Sequence, residues 1–566
     1  MTLVAKQRTA GWLFLAPASI MIAVMSFYPM IRAFIISLQT GAGANMRFAD
    51  PIFSNYKRIL ADKVFQQSIV NTFLYLIIQV PIMLILAILL AQLLNNKDLK
   101  LRGFFRTCVF LPCATSLVSY SLIFRSMFAT DGLINSILIK LGILTTGYNF
   151  LGNSTSAKIV IIIALIWRWT GYNMVFYLAG LQNIEYSVYE AAKIDGANGW
   201  KTFWKITVPL LKPTIIMTFI MSINGTLQLF DESVNLTKGG PANSTITMSH
   251  YVYNTCFINV PNFGYAAAMS FIIFIMVAIL AFINLKVGDT LTEKKNKSAI
   301  QRRLIPTYIF LIIVSFISVF PLYWMISAAT NTSTDVSRGR ILPGTYFMQN
   351  FKNLTAQQPL WRALGNSLFY AVLTTVICLL ICSIAGYGFE VYHDRWKDRL
   401  FSTLLLAMMV PQVATMVPLF KMFSKAGLLN TAVGFILPII STPFMIMMFR
   451  QNARAFPIDI IEAARIDGLS EVRIFFQMFI PTMKSTYAAA AVITFMNAWN
   501  SYLWPKVIMT DNKAMTMPML IANLITGYVT DYGMLMCGVL FCSIPTMIVF
   551  FVLQKQFAEG ITGAVK

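Results

Sequence analysis

The chain has 566 residues, of which 57% are apolar and 12% charged, and 44 Lys and Arg against 22 Asp and Glu give a formal charge of +22. A soluble globular domain carries about 25% charged residues, so this composition excludes an ordinary soluble enzyme. It points instead to a chain that crosses a bilayer many times, and the basic excess then has a cause other than nucleic acid.

In chain order, apolar runs near the ~20 residues a helix needs to cross the hydrocarbon core fall at 11–38, 69–94, 104–127, 157–180, 209–230 and 263–286. After a basic stretch come 303–328, 364–388, 399–422, 431–452, 481–504 and 533–556, the fourth of these interrupted by Pro438 and Pro443. The expected fold is therefore an all-α membrane protein of twelve transmembrane helices. The first run is too long for a signal-peptide core and is read as a retained anchor. With the N-terminus (Lys6, Arg8) inside, most Lys and Arg, those at span ends included, fall in cytoplasmic segments. That is the positive-inside bias, which places both termini in the cytoplasm of a multi-pass cell-membrane protein. The charge is then a matter of orientation, and no nucleic-acid partner is implied. Six of the seven cysteines lie in apolar runs and Cys256 in an outside loop, so neither a disulfide framework nor a metal site is expected.

The two sets of six runs follow one plan. EAAKIDGANGWKTFWKITVP at 190–209 returns as EAARIDGLSEVRIFFQMFIP at 462–481 without a gap. Asn71-Thr72 with Tyr75 recurs as Asn366-Ser367 with Tyr370, and Pro112 with Thr115 as Pro411 with Thr415. An even number of spans per half makes the halves parallel, related by an axis along the membrane normal. The expected boundaries are a first half at 1–290, a cytoplasmic linker at 291–302 and a second half at 303–566. The repeated loops are 181–208 and 453–480.

Each loop reads as a helix, a glycine that ends it (Gly196, Gly468), and a second short amphipathic helix carrying Trp200, Phe203, Trp204 and Thr207, or Val472, Phe475, Phe476 and Phe479. Pro209 and Pro481 then open the fifth span. Amphipathicity alone fits a helix resting on lipid headgroups. It does not account for the same Glu, Asp and Gly at one spacing in both halves. A bracket displaying Glu190, Lys193 and Asp195, or Glu462, Arg465 and Asp467, suits a partner with two identical sockets.

At these residues the chain resembles the membrane subunits of ABC importers, and among them the maltose-type sugar permeases, with first and second permease subunits joined in one polypeptide. WRWTGYNMVFYLAGLQ (167–182) and LFDESVNLTKGGP (229–241) are similar to parts of the first subunit, FMNAWNSYLWP (495–505) to the second. Glu185, where the family commonly has Pro, and Leu469, where it has Ala, depart from the pattern, as does the absence of a large outside domain. The resemblance implies that Glu190, Ala191, Ala192, Asp195 and Gly196, with Glu462, Ala463, Ala464, Asp467 and Gly468, couple the spans to an ATPase. It further implies two copies of that cytoplasmic ATPase, an extracellular solute-binding protein, and ATP and Mg held by the ATPase. No cofactor is expected here, since no G-x-x-x-x-G-K-[ST] phosphate cradle or catalytic constellation occurs in the chain.

The expected substrate pathway follows the polar and aromatic residues that are costly within spans. These are Trp167, Arg168, Trp169, Tyr172 and Asn173 in the fourth span and Ser222, Asn224 and Gln228 in the fifth. Asn497, Trp499 and Asn500 are their second-half counterparts. Aromatic faces beside amides and hydroxyls suit a di- or oligosaccharide. Two competing roles stand beside this one: interhelical hydrogen bonding, and a structural pairing of Arg168 with Asp231 or Glu232. The rival function is a 6+6 ion-coupled secondary transporter, but that class carries its shared cytoplasmic signature between spans two and three. Here those loops, NNKDLKLRGFFR and EVYHDRWKDR, have no common pattern.

Overall fold

The computed structural model describes residues 3–41, 46–96, 98–182, 184, 186–194, 199–290, 304–454, 456–525 and 530–562. The expected linker at 291–302, and Asp195 and Gly196 of the first coupling loop, lie outside the described residues. Among the described residues the regular structure is helical apart from one antiparallel pairing of Gln39–Thr40 with Arg47–Phe48.

Among the described residues eight helices are long and apolar enough to cross a membrane: Gln7–Ser37, Lys63–Leu94, Ser154–Gln182, Lys212–Asn235, Phe263–Leu280, Pro306–Ala329, Leu360–Val391 and Tyr532–Gln554. The other four of the twelve expected runs are not long straight apolar helices, and with each bent pair taken as one span the described residues give up to 11. The run 104–127 is two helices, Arg102–Ala114 and Leu117–Met127, meeting at 95°, and 399–422 is Arg395–Met409 and Gln412–Lys425, also at 95°. The run 431–452 bends by 53° between Ala432–Ile439 and Pro443–Ala453. The run 481–504 forms a 17-residue helix, Lys484–Asn500, at the lower end of the length a crossing takes.

Proline chemistry explains the paired right-angle breaks. Pro411 has no N–H and its ring forces Val410 out of the α region, to φ −74°, ψ 113°. In the first half Pro112 sits in the last turn, and Thr115 and Ser116 are extended, with ψ of 153° and 145°. Thr115 Oγ1 turns back to donate to the Pro112 carbonyl at 2.5 Å. Irregular backbone within a membrane bundle is tolerated where protein buries it or a polar cavity solvates it, and both conditions are met below.

The two halves interlock. The helix Leu3–Ile22 packs along Leu360–Val391, and Leu304–Ala329 packs against Arg102–Ala114, so the first helix of each half leans on the other. Without a hydrophobic drive between helices in lipid, such contacts depend on close van der Waals approach over small residues. A Cβ on Gly388 would stand 2.9 Å from Cβ of Phe14, and one on Gly171 only 2.0 Å from the Val109 carbonyl oxygen. Gly171 is thus what lets Ser154–Gln182 lie flush against the broken third span. Trp167 Nε1 also donates across the halves, to the Ile317 carbonyl at 3.1 Å.

Candidate functional site

Between the halves lies a cavity with two lobes. One, of about 330 Å³, is lined by the second, fourth and fifth spans of the first half, with Gln79, Trp169, Tyr172, Asn173 and Ser222 among its walls. The other, of about 480 Å³, lies toward the second half, against Thr374, Cys378, Thr415, Thr442 and Thr494. Arg168, Trp169, Gln228, Asp231, Asn497 and Asn500 line both and form the waist. Small-molecule sites occupy ~300–1,000 Å³.

Arg168 projects from the middle of Ser154–Gln182 and is 2% exposed. Its Cζ stands 5.1 Å from the Trp169 ring centroid and 5.8 Å from that of Tyr120. Its Nε and Nη1 have no protein acceptor. No ion pair joins it to Asp231 or Glu232 among the described residues. Glu232 accepts from the Tyr120 hydroxyl instead, and Asp231 Oδ1 is buried without a donor. Two N–H groups of a buried guanidinium and a buried carboxylate oxygen, without protein partners and on one cavity wall, are groups a polar guest can satisfy.

Asn224 and Gln228 do something different. Asn224 Nδ2 donates to the Met408 carbonyl at 3.1 Å, and Gln228 Oε1 accepts from the Gln412 backbone N–H at 2.8 Å. The fifth span of the first half thereby supplies the hydrogen bonds that Pro411 removed from the third span of the second. These two residues stitch the halves together across the break.

The structure gathers Arg168, Trp169, Tyr172, Asn173, Ser222, Asn224, Gln228, Asn497 and Asn500 at the cavity and turns two expected pathway residues away. Trp167 packs its ring 5.4 Å from Phe124. Trp499 is buried beside Phe495 with its Nε1 donating to the Cys542 carbonyl at 3.0 Å. Both sit on the far side of their helices, where an indole is worth more as packing. Gln79, Thr374 and Thr494 escaped the sequence reading. Gln79 was legible as an amide inside a long apolar run, whereas threonines are common in spans and signal nothing by themselves.

The second repeated loop is fully drawn from 456 onward. Ile458–Ile466 ends at Asp467, and Gly468 takes φ +78°, a conformation only glycine enters without strain. Ser470 Oγ caps the next turn, Glu471–Ile474. Arg465 Nε and Nη2 reach Glu471 at 2.9 and 3.2 Å, and the Tyr392 hydroxyl donates to the same carboxylate at 2.6 Å. Burial first, and then the Glu471 carboxylate, push the Tyr392 hydroxyl well above the usual tyrosine range, so it stays a donor. Phe14 of the first half stands 5.9 Å from Phe475 and 5.5 Å from Tyr387. Glu462, Ala463, Asp467 and Gly468 are exposed while Ala464 is buried. In the first loop Glu190 lies on the helix Tyr186–Ile194, where Ala191 is exposed and Ala192 buried. The alternation at the two alanines is the same in both copies.

Two helical halves with paired breaks and a polar cavity between them suit a membrane permease. The model of the binding-protein-dependent transport system inner membrane component family matches the chain twice, at residues 59–289 and 379–563, and the chain belongs to that family. It is 50% identical over 275 residues to the lactose transport system permease protein LacF of Rhizobium radiobacter, spanning 48% of this chain and 92% of that protein. To LacG of the same organism it is 41% identical over 271 residues, again 48% of this chain and 99% of that protein. Two permease subunits thus stand in one polypeptide. The crystal structure of a bacterial ABC transporter involved in the import of the acidic polysaccharide alginate aligns at 22% identity with a TM-score of 0.44. That alignment covers 50% of this chain and 96% of that one.

Proposed function

We propose that this chain is the complete translocation pathway of an ABC importer for a di- or oligosaccharide. Its halves, 1–290 and 303–566 joined by a cytoplasmic linker at 291–302, run parallel as six spans each, with both termini in the cytoplasm. A solute-binding protein delivers the sugar from outside. Two copies of a cytoplasmic ATPase, holding ATP and Mg, seat on the loops at 181–208 and 453–480 through Glu190, Ala191, Ala192, Asp195 and Gly196, and through Glu462, Ala463, Ala464, Asp467 and Gly468. ATP-driven closure rocks the halves, and access to the cavity alternates between the two sides.

The observation that carries this reading is the waist of the cavity, where Arg168 and Asp231 present unsatisfied polar atoms beside the aromatic face of Trp169. Sugars have apolar C–H faces and hydroxylated rims, which such a wall complements. The named relatives support the substrate class, since both are described as lactose transport system permease proteins. The residues repeated in the two loops, exposed in the second at Glu462, Ala463, Asp467 and Gly468, support an external motor, a role an ion-coupled carrier would leave without purpose.

The test is reconstitution of the chain with and without its ATPase and binding protein in liposomes. Sugar uptake should require ATP and all three components, and Gly468→Pro should abolish uptake while the chain stays folded. Uptake driven by an ion gradient with no ATPase present would establish the rival instead.

A further inference from the structure

The second lobe has no task in a pathway that grips one ring at Arg168 and Trp169. Its walls include elements that carry no expected pathway residue: the second span of the second half (Thr374, Cys378), the bend of its fourth span (Pro438, Thr442), and Ser26 of the first half. Thr494 joins them from the helix that also carries Asn497 and Asn500. Ser26 lies in a π-helical stretch, Ala23–Phe27, and such local widening of a helix often accompanies a functional site.

The chemistry of this lobe differs from that of the first. Its only charged lining residues are Arg168 and Asp231, both at the shared waist. Beyond the waist it offers hydroxyls, the amides of Asn224 and Gln412, a thiol and apolar surface. Thr374 is 1% exposed and its Oγ1 has no protein partner, nor does Asn500 Oδ1, which is also buried. A hydroxyl donor and an amide acceptor, buried and unsatisfied against one cavity, match the alternating donors and acceptors of a polyhydroxylated ring. They offer nothing to neutralise a carboxylate or a phosphate.

We infer that the cavity is a two-ring site, in which one sugar unit lies in the first lobe against Trp169 and Tyr172 and the next, uncharged unit lies in the second lobe against Thr374 and Thr494. This rests on the carbohydrate reading above and makes it narrower. The smallest well-held guest is a neutral disaccharide, bridged at its glycosidic link by Arg168, Asp231 and Asn500, and both halves of the chain touch it. The volumes agree, since each lobe exceeds the lower bound for a small-molecule site.

Saturation-transfer NMR on the purified full chain in nanodiscs, with lactose as the probe and galactose as its one-ring control, reads the two rings through separate protons. Lactose should receive saturation on both rings, with galactose bound at least tenfold more weakly. Thr374→Val with Thr494→Val, which keep shape and remove hydroxyls, should weaken lactose severalfold and leave galactose unchanged. Cys378→Trp, which fills the second lobe, should erase the signal of one ring and spare the other; should that variant fail to fold, the threonine pair carries the result. Saturation confined to one lactose ring and indifferent to all three substitutions overturns the two-ring site while leaving a sugar permease standing. No saturation of either sugar in the wild-type chain overturns both.

Discussion

The two fourth spans start from one plan and end in different roles. In the first half Ser154–Gln182 is a single helix of 29 residues, and Arg168 and Trp169 project from its middle into the cavity. In the second half, the residues at the same distance before the repeated glutamate are Ile440 and Ser441, and they fall in the 53° bend between Ala432–Ile439 and Pro443–Ala453. Where one half places a charge, the other opens its backbone. The halves share the scaffold and the repeated loop, while at the waist of the cavity the first half places the charges, Arg168 and Asp231, and the second the amides Asn497 and Asn500.

The largest effect expected from breaking that asymmetry is at Arg168. Arg168→Gln should cut sugar transport at least tenfold. Because the guanidinium is buried without a carboxylate partner, and a charge within a span costs roughly 2.5–3.5 kcal/mol on insertion scales, thermal stability should hold or rise. Ile440→Val, at the corresponding place, should leave both unchanged. Parallel loss of transport and stability in Arg168→Gln would make it a structural residue instead.

Next in size is the cross-half stitch. Gln228→Leu removes the acceptor for the Gln412 N–H, and an amide left unsatisfied costs about 1–3 kcal/mol, to be seen as a lowered melting temperature in detergent. Asn500→Leu, at the matching position of the other half, removes an Oδ1 with no donor and should cost less. Equal losses would mean that the stitch contributes nothing special.

A smaller change is expected at the second loop. Gly468→Ala forces a Cβ into the left-handed region, at about 1–2 kcal/mol, and should lower ATP-coupled uptake severalfold with little change in melting temperature. Sugar binding by the isolated chain should be untouched, which separates coupling from recognition.

The smallest effect concerns His250, which shares a hydrogen bond of 2.8 Å with Ser233 Oγ. Burial, with the nearby Lys506 adding to it, pushes its pKa down to about 4. A depressed histidine is stabilising while neutral, so its contribution is complete above the ordinary value near 6.5. It is lost as pH falls from there through about 4. The melting temperature should therefore drop between pH 7 and pH 4, and His250→Gln should flatten that slope.

Much of this was legible in the residues alone. Apolar runs near 20 residues announce membrane helices because hydrocarbon thickness is fixed, and the repeated Glu-Ala-Ala-x-x-x-Gly is visible because it stands at one spacing in both halves. The polar residues of the fourth and fifth spans were found for the same reason, since each is costly in lipid unless it faces a cavity or a neighbour. Which of those two it faces was not legible. Trp167 and Trp499 read like their neighbours Arg168 and Asn500, and only helix rotation turned the indoles into the packing.

Sequence by itself determined the class, the duplication and the paired loops, for these depend on period, composition and spacing along the chain. Tertiary structure decided the rest. It set the 95° breaks at Pro112 and Pro411, the loan of Asn224 and Gln228 to the opposite half, and the second lobe with its Thr374 hydroxyl. Each of those depends on hydrogen-bond partners and free volume between segments far apart in the chain, and a broken helix becomes stable only when a distant side chain arrives to satisfy it.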